Sequence, residues 1–320
     1  MTSPLNILII LRMPEDLRMP YYHGLGATFP DANVNIVDHV EKSGPYIEAA
    51  DVILTFGSHM DDESLGKAAN LKWIQMLSTG VDAIVNRPTL RPEVIVTNIP
   101  GIHAASVSEA GIMFILALSR DLPRAVHNKD KQFWDRWSAP ILEGKTVGIV
   151  GMGLIAEGLA PRCKAMGMHV VGLSSSPRAV AGFDEIRPMG ELMQAIATFD
   201  YLVVLTPYTK ATHDLIGEAQ LAAMKPKSYL INLARGKIVN EKALIAALDR
   251  GEIAGAAIDV AANEPMPPED PLWNARNLII TPHIAAMYDE YADRALEIVT
   301  ENLRRFIAGD SDSLLNRVRR

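Results

Sequence analysis

The stretch Thr146-Val-Gly-Ile-Val-Gly151-Met-Gly153-Leu-Ile-Ala156 decides how the rest of the chain is read. An apolar, β-branched run ends in G-x-G-x-x-A, and a helical pattern from Leu154 to Met166 follows it. In such a turn the first glycine bends the chain sharply. The second lets the backbone approach a pyrophosphate, and the third small residue allows close helix–strand packing. The helix N-terminus then directs its N–H groups and partial positive charge at the phosphates. Gly151, Gly153, Leu154 and Ile155 are therefore candidates for the cofactor loop. Taken alone, the same glycines fit a tight strand-to-helix turn. The next apolar run, Val170–Leu173, completes a βαβ unit of about thirty residues, the size a dinucleotide site requires.

At the end of the second strand, a site for NAD carries Asp or Glu to accept a hydrogen bond from the ribose 2′-OH. Here the chain reads Ser174-Ser175-Ser176-Pro177-Arg178. Hydroxyl donors and a guanidinium suit a 2′-phosphate, which Arg pairs in two-pronged fashion and no carboxylate repels. The expectation is NADP(H) in preference to NAD(H), with NAD(H) still possible. The competing reading is a solvated serine turn with Arg178 in water.

Short β-branched runs alternate with helical patterns along the chain. The first series is Ile7–Leu11, Val34–Val37, Val52–Phe56, Trp73–Leu77 and Val94–Thr97. The second is Thr146–Val150, Val170–Leu173, Tyr201–Leu205, Tyr229–Leu233, Ala256–Val260 and Leu278–Thr281. The expected fold class is α/β, with two Rossmann-like, doubly wound parallel sheets. Between the series, Ser106-Val-Ser-Glu109 has the spacing of a capping box and predicts the start of a long helix ending near Arg120. After Pro282, Ala295, Ile298, Val299, Leu303, Phe306 and Ile307 fall at helical spacing, and Gly309 stands where a C-terminal cap belongs.

The 320 residues set a prior of two domains. A content of 48% apolar and 22% charged residues excludes collagen-like, disordered and disulfide-scaffold classes. With 31 Lys+Arg against 38 Asp+Glu, a net charge of −7 and no like-charge block, nucleic acid is not an expected partner. The single cysteine, Cys163, supports neither an intramolecular disulfide nor a Cys-based metal site, which suits a reducing cytoplasm. The start lacks a basic segment and its apolar run is too short for an export signal. The run from Ala110 to Leu118 falls well short of a membrane span, so membrane insertion is not expected.

Arg235, Glu264 and His283 each follow a candidate strand of the second series, at the edge where open parallel sheets bind ligands. Leu77-Ser-Thr-Gly80-Val-Asp82, Gly151-Met-Gly153, Leu205-Thr-Pro-Tyr-Thr209, Ile231-Asn-Leu-Ala-Arg235-Gly236, Ala257-Ile-Asp-Val-Ala-Ala-Asn-Glu-Pro265 and Thr281-Pro-His283 occur in that order. Over nearly its whole length the chain resembles the D-isomer-specific 2-hydroxyacid dehydrogenases, which include glyoxylate/hydroxypyruvate reductases. The resemblance implies that Arg235 holds the substrate carboxylate and carbonyl, Glu264 is the acidic partner and His283 the acid/base. Reduction of a 2-oxo acid builds negative charge on the carbonyl oxygen, so a positioned proton donor lowers the barrier. A carboxylate against one imidazole nitrogen fixes the tautomer and favours the protonated ring. Each residue taken singly could instead be a surface ion-pair partner or a loop residue.

The resemblance further implies substrate-carboxylate binding by backbone amides at Thr79 and Gly80. It places Thr206, Pro207 and Thr212 around the adenosine half, with a purely structural loop an equal reading for Thr212, and has Leu233, Ala234 and Ala285 also lining the cofactor. Asp259 matches the aspartate at the nicotinamide carboxamide, although a buried Asp capping the next turn is a fair alternative. It also implies a flavodoxin-like substrate domain over residues 1–103 with 285–320, a dinucleotide-binding domain over residues 104–284, closure about their hinge, and a homodimer built on the long helix. Two motifs depart from the family: Val107-Ser108-Glu109-Ala110, and Ala285-Ala286-Met287-Tyr288 after the histidine. The second removes a hydroxyl near residue 286 and leaves room for a more apolar substrate. Met60, Met287 and Tyr288 could line such a pocket but are more often core, and Trp134 and Trp137 read as core or subunit interface. Formate oxidation needs no acid/base carboxylate, so Glu264 speaks against a formate dehydrogenase, and a phosphoglycerate dehydrogenase is disfavoured without an added C-terminal regulatory domain. A nucleotide-sensing corepressor of the same fold is the reading from another class.

Overall fold

In a computed structural model, residues 4–319 are described, and the chain divides into two compact units. One runs through Ile102 and resumes at Tyr288, and the other is His103–Met287.

The first unit is built on β1 (Asn6–Ile10), β2 (Asn33–Val37), β3 (Val52–Thr55), β4 (Trp73–Met76) and β5 (Ile95–Thr97). All pairs are parallel and the order is β2-β1-β3-β4-β5. Alternate residues serve opposite faces. Ile7, Ile9, Val52 and Leu54 pack with the helices Glu15–Thr28 and Tyr291–Ile307, while Leu8, Ile10, Ile53 and Ile74 pack with Ile47, Leu65 and Leu90. The last helix follows the apolar spacing read from sequence. Gly309, at φ 79°, ends it, with Gly309 N–H on Phe306 O at 3.1 Å and Asp310 N–H on Arg305 O at 2.9 Å.

The second unit holds β6 (Thr146–Val150), β7 (His169–Ser174), β8 (Glu185–Pro188), β9 (Tyr201–Val204), β10 (Tyr229–Asn232), β11 (Gly255–Ile258) and β12 (Leu278–Ile280). Their order is β12-β11-β10-β9-β6-β7-β8, again all parallel. The strand order reverses between β6 and β9, which makes that edge the switch point where ligands enter.

Two features differ from the sequence reading. The long helix spans Ala104–Arg120, beginning before Ser106, with His103 at its N-cap and no side-chain capping hydrogen bond there. Ser106 is inside the helix, where its hydroxyl returns to His103 O at 3.3 Å, so no capping box forms. β8 is the other difference. It is an edge strand in which Glu185, Ile186 and Arg187 are only half-buried and Pro188 is exposed, so it carries no apolar run to betray it. Ser108 reaches across to Ile155 O at 3.2 Å. It stands where the long helix meets the Leu154–Ala165 helix, and a Cβ at Gly158 would lie 2.6 Å from its Oγ. No helix among the described residues is long and apolar enough to cross a membrane.

Gly148 in β6 lies under the Phe199 ring, where an added Cβ would stand 2.1 Å from Cε2. Gly148→Ala is therefore expected to lower stability by about 1–3 kcal/mol through overpacking, seen as a lower midpoint in chemical denaturation.

Candidate active site

The candidate residues of the second unit leave the C-terminal ends of its strands. Gly151 follows β6, Ser174–Arg178 close β7 and Thr206 follows β9. Leu233–Arg235 follow β10, Asp259 and Glu264 follow β11, and His283 follows β12. Gly151 has φ 98°, and a Cβ there would meet Thr206 N at 2.6 Å, so only glycine fits the switch-point turn. At Gly153 a Cβ would have nothing within 4 Å, and the Leu154–Ala165 helix that it opens has no side-chain cap. Open space beside an uncapped helix N-terminus is what a pyrophosphate requires, so these residues fit a dinucleotide.

β10, β11 and β12 are neighbours, which brings the catalytic candidates of the second unit to one stretch of sheet edge. His283 Nδ1 lies 2.7 Å from Glu264 Oε2, and both side chains are part-exposed. Glu264 also accepts from Ala261 N–H at 2.9 Å. Burial pushes the Glu264 carboxyl up, but the hydrogen bond and charge of His283, the Ala261 amide and Arg235 outweigh it and hold it below its ordinary 4.5. A carboxylate accepts only, so Nδ1 carries the proton and Nε2 is left for a reacting group.

His283 sits at φ 55°, left-handed backbone that few non-glycine residues adopt. Its N–H donates to Asp259 O at 2.7 Å. The Asp259 carboxylate, 3% exposed, accepts from the Thr281 hydroxyl and from the N–H groups of Ile284 and Ala285, each amide at 2.9 Å. Those bonds use three of about four acceptor positions on the carboxylate, so one is left for a ligand N–H. The turn-capping alternative is thus what the side chain does in this structure.

Arg235 follows a tight bend that sequence reasoning passed over. Buried Asn232 accepts from Ala234 N–H at 3.1 Å and donates to Arg235 O at 3.0 Å. At Gly236 a Cβ would lie 2.0 Å from Ala261 C, so glycine alone lets the arginine bend approach the loop that carries Glu264. Glu241 holds that loop from the other side by accepting Ala262 N–H at 2.6 Å. Asn232 and Gly236 stand inside a quoted motif and could have been singled out there, whereas nothing in the sequence marks Glu241. His103 was missed too: it is buried, and its imidazole is pushed down to about 4 by burial, with the charge of Arg235 acting the same way.

The remaining cofactor candidates divide. Leu154 is exposed and Ile155 half-buried at the open helix end, while Leu233 and Ala234 are buried behind Arg235. Ala285 packs partly against the core beneath it. The Thr212 hydroxyl closes its own loop, donating to Pro207 O at 2.8 Å and accepting from Thr209 N–H at 2.7 Å. Ser174 Oγ accepts from Ser176 N–H at 3.1 Å, and Arg178 pairs with Glu157. Ser175 is exposed beside them.

In the first unit, the carbonyls of the Leu77–Gly80 loop all have donors. Tyr291 Oη bonds Leu77 O, Ile99 N–H bonds Ser78 O at 3.2 Å, Asn98 Nδ2 bonds Thr79 O at 2.7 Å and Ser78 Oγ bonds Gly80 O at 2.8 Å. Met60 is buried in this unit's core, which removes it from the pocket candidates. Trp134 is 86% exposed and so is no core residue, while the Trp137 ring lies under Arg124 at 4.6 Å.

A parallel sheet with a glycine bend that fits a pyrophosphate and a His–carboxylate pair at the same edge suits a nucleotide-dependent oxidoreductase. Residues 112–285 match the model of the D-isomer specific 2-hydroxyacid dehydrogenase NAD binding domain, and the chain belongs to that family. It is 33% identical to glyoxylate reductase from Korarchaeum cryptofilum over 78% of this chain and 77% of that one. It superposes on NADPH-dependent glyoxylate/hydroxypyruvate reductase from Sinorhizobium meliloti, in complex with NADP and sulfate, with TM-score 0.83, 27% identity and coverage of 99% and 98%. It superposes on D-lactate dehydrogenase from Aquifex aeolicus, complexed with NAD and lactic acid, with TM-score 0.86, 29% identity and coverage of 98% and 99%. The chain spans about half the length of the D-3-phosphoglycerate dehydrogenases it matches.

Because the Glu264 carboxyl sits below 4.5, its pairing contributes fully above that pH and fades as the pH falls through the lower folded value. A carboxyl-carbon NMR titration of Glu264 is expected to give a midpoint under 4.5; a midpoint at or above it contradicts the pairing.

Proposed function

We propose that the protein reduces a small 2-oxo acid to the D-2-hydroxy acid with NADPH as the preferred reductant. The observation that carries this reading is the His283–Glu264 contact of 2.7 Å at the C-terminal edge of the nucleotide-binding sheet. Bound dinucleotide supplies the hydride. His283 gives its Nε2 proton to the carbonyl oxygen that becomes the hydroxyl, and in the reverse direction it takes that proton back. Glu264 stays ionised, fixes the tautomer and faces the positive charge that the ring carries before transfer. Arg235 holds the substrate carboxylate with a planar two-pronged donor set that no lysine reproduces.

Thr79 and Gly80 are assigned to the substrate carboxylate within the first unit, residues 1–103 with 285–320. Residues 104–284 are assigned to the cofactor. Arg178 and the serines favour NADP(H), while the relatives include proteins bound to NADP and to NAD, so NAD(H) remains a usable second cofactor. Asp259 is assigned the nicotinamide carboxamide through its remaining acceptor position.

A homodimer is proposed on the long helix. Met113 and Leu116 on that helix, and Leu122, Val126, Phe133, Trp134 and Ile141 after it, are exposed apolar side chains that a second copy would cover.

The test is steady-state reduction of glyoxylate, hydroxypyruvate, pyruvate and phenylpyruvate, each with NADPH and with NADH. Turnover of at least one acid with NADPH ahead of NADH is expected. His283→Asn should lose about 10²–10⁴-fold in kcat while binding NADPH as the parent does. Full activity of that variant, or no turnover of any 2-oxo acid, contradicts the reading, and a clear NADH preference overturns its cofactor clause.

A further inference from the structure

We infer that Glu157 sets the cofactor preference by competing with the ribose 2′-phosphate for Arg178, an inference that rests on the NADP(H) reading above. Glu157 lies in the first turn of the helix opened by Gly153, with its N–H on Gly153 O at 3.0 Å. Arg178 comes from the segment after β7, and it is the one cation among Ser174–Arg178. The two side chains, 34% and 57% exposed, form an ion pair through Glu157 Oε1 and Arg178 Nη2. The partners are far apart in sequence and belong to the two elements that flank the dinucleotide site.

The chemistry gives the pair a direction. A guanidinium binds phosphate best when two of its N–H donors are presented in parallel, and here Nη2 is already given to a carboxylate. That carboxylate also places a negative charge beside an incoming dianion. Both effects act on a 2′-phosphate and leave a 2′-hydroxyl untouched. The pair is part-exposed, so its contribution to folding is small and its rupture is within reach of ligand binding.

Calorimetric titration of the full-length chain with 2′,5′-ADP and with 5′-AMP tests this without turnover. Glu157→Gln is expected to tighten 2′,5′-ADP about threefold to fivefold and to leave 5′-AMP within about twofold. Arg178→Ala should weaken 2′,5′-ADP about tenfold, and adding Glu157→Gln to it should restore nothing. Unchanged or weaker 2′,5′-ADP binding by Glu157→Gln overturns the inference, the weaker result showing that Glu157 orients the arginine. An equal gain for both nucleotides also overturns it, showing general repulsion at the helix end. If Arg178→Ala leaves 2′,5′-ADP binding intact, the NADP(H) reading itself fails.

Discussion

The carboxylate of Asp259 is the constraint on which the proposed catalytic edge depends. It accepts the Thr281 hydroxyl and the amides of Ile284 and Ala285, and the Asp259 carbonyl takes the His283 N–H. Holding a histidine at φ 55° costs on the order of 1–3 kcal/mol. Each hydrogen bond to a charged acceptor returns about 1.5–3 kcal/mol, so the turn is stable with its strain included. What the strain secures is the direction of the imidazole toward Glu264.

From that turn the other requirements follow in order. β11 and β12 must be adjacent for Asp259 to reach the turn after β12, and β10 must lie beside β11 for the Arg235 bend to touch the Glu264 loop. Gly236 permits that approach and Asn232 shapes the bend. The same sheet then reverses order between β6 and β9, where Gly151 packs against Thr206 at the proposed dinucleotide site. Sheet order thus sets His283, Glu264, Arg235 and the Gly151 bend along one edge.

Much of this is legible in the sequence. The glycine bend, the alternation of apolar runs and the positions of Arg235, Glu264 and His283 after strands are local properties that a single segment records. The start of the long helix was misplaced because Ser106 has the right spacing for a cap but bonds backward within the helix. β8 escaped notice because an edge strand needs no continuous apolar face. The Glu157–Arg178 pair and the grip of Glu241 on Ala262 join residues about twenty positions apart, and spacing says nothing about which long-range partners meet. For Asp259 the sequence supported two roles, and only the placed carboxylate shows how many of its acceptor positions the turn consumes.

The most direct measurement is kcat of Asp259→Asn at neutral pH, with circular dichroism confirming the fold. The amide replaces an acceptor oxygen with a donor facing backbone N–H groups, so the turn should relax and carry His283 out of line. A loss of about 10²-fold in 2-oxo acid reduction is predicted. Parental turnover by the folded variant would contradict the account, because the histidine would then be held by something other than Asp259.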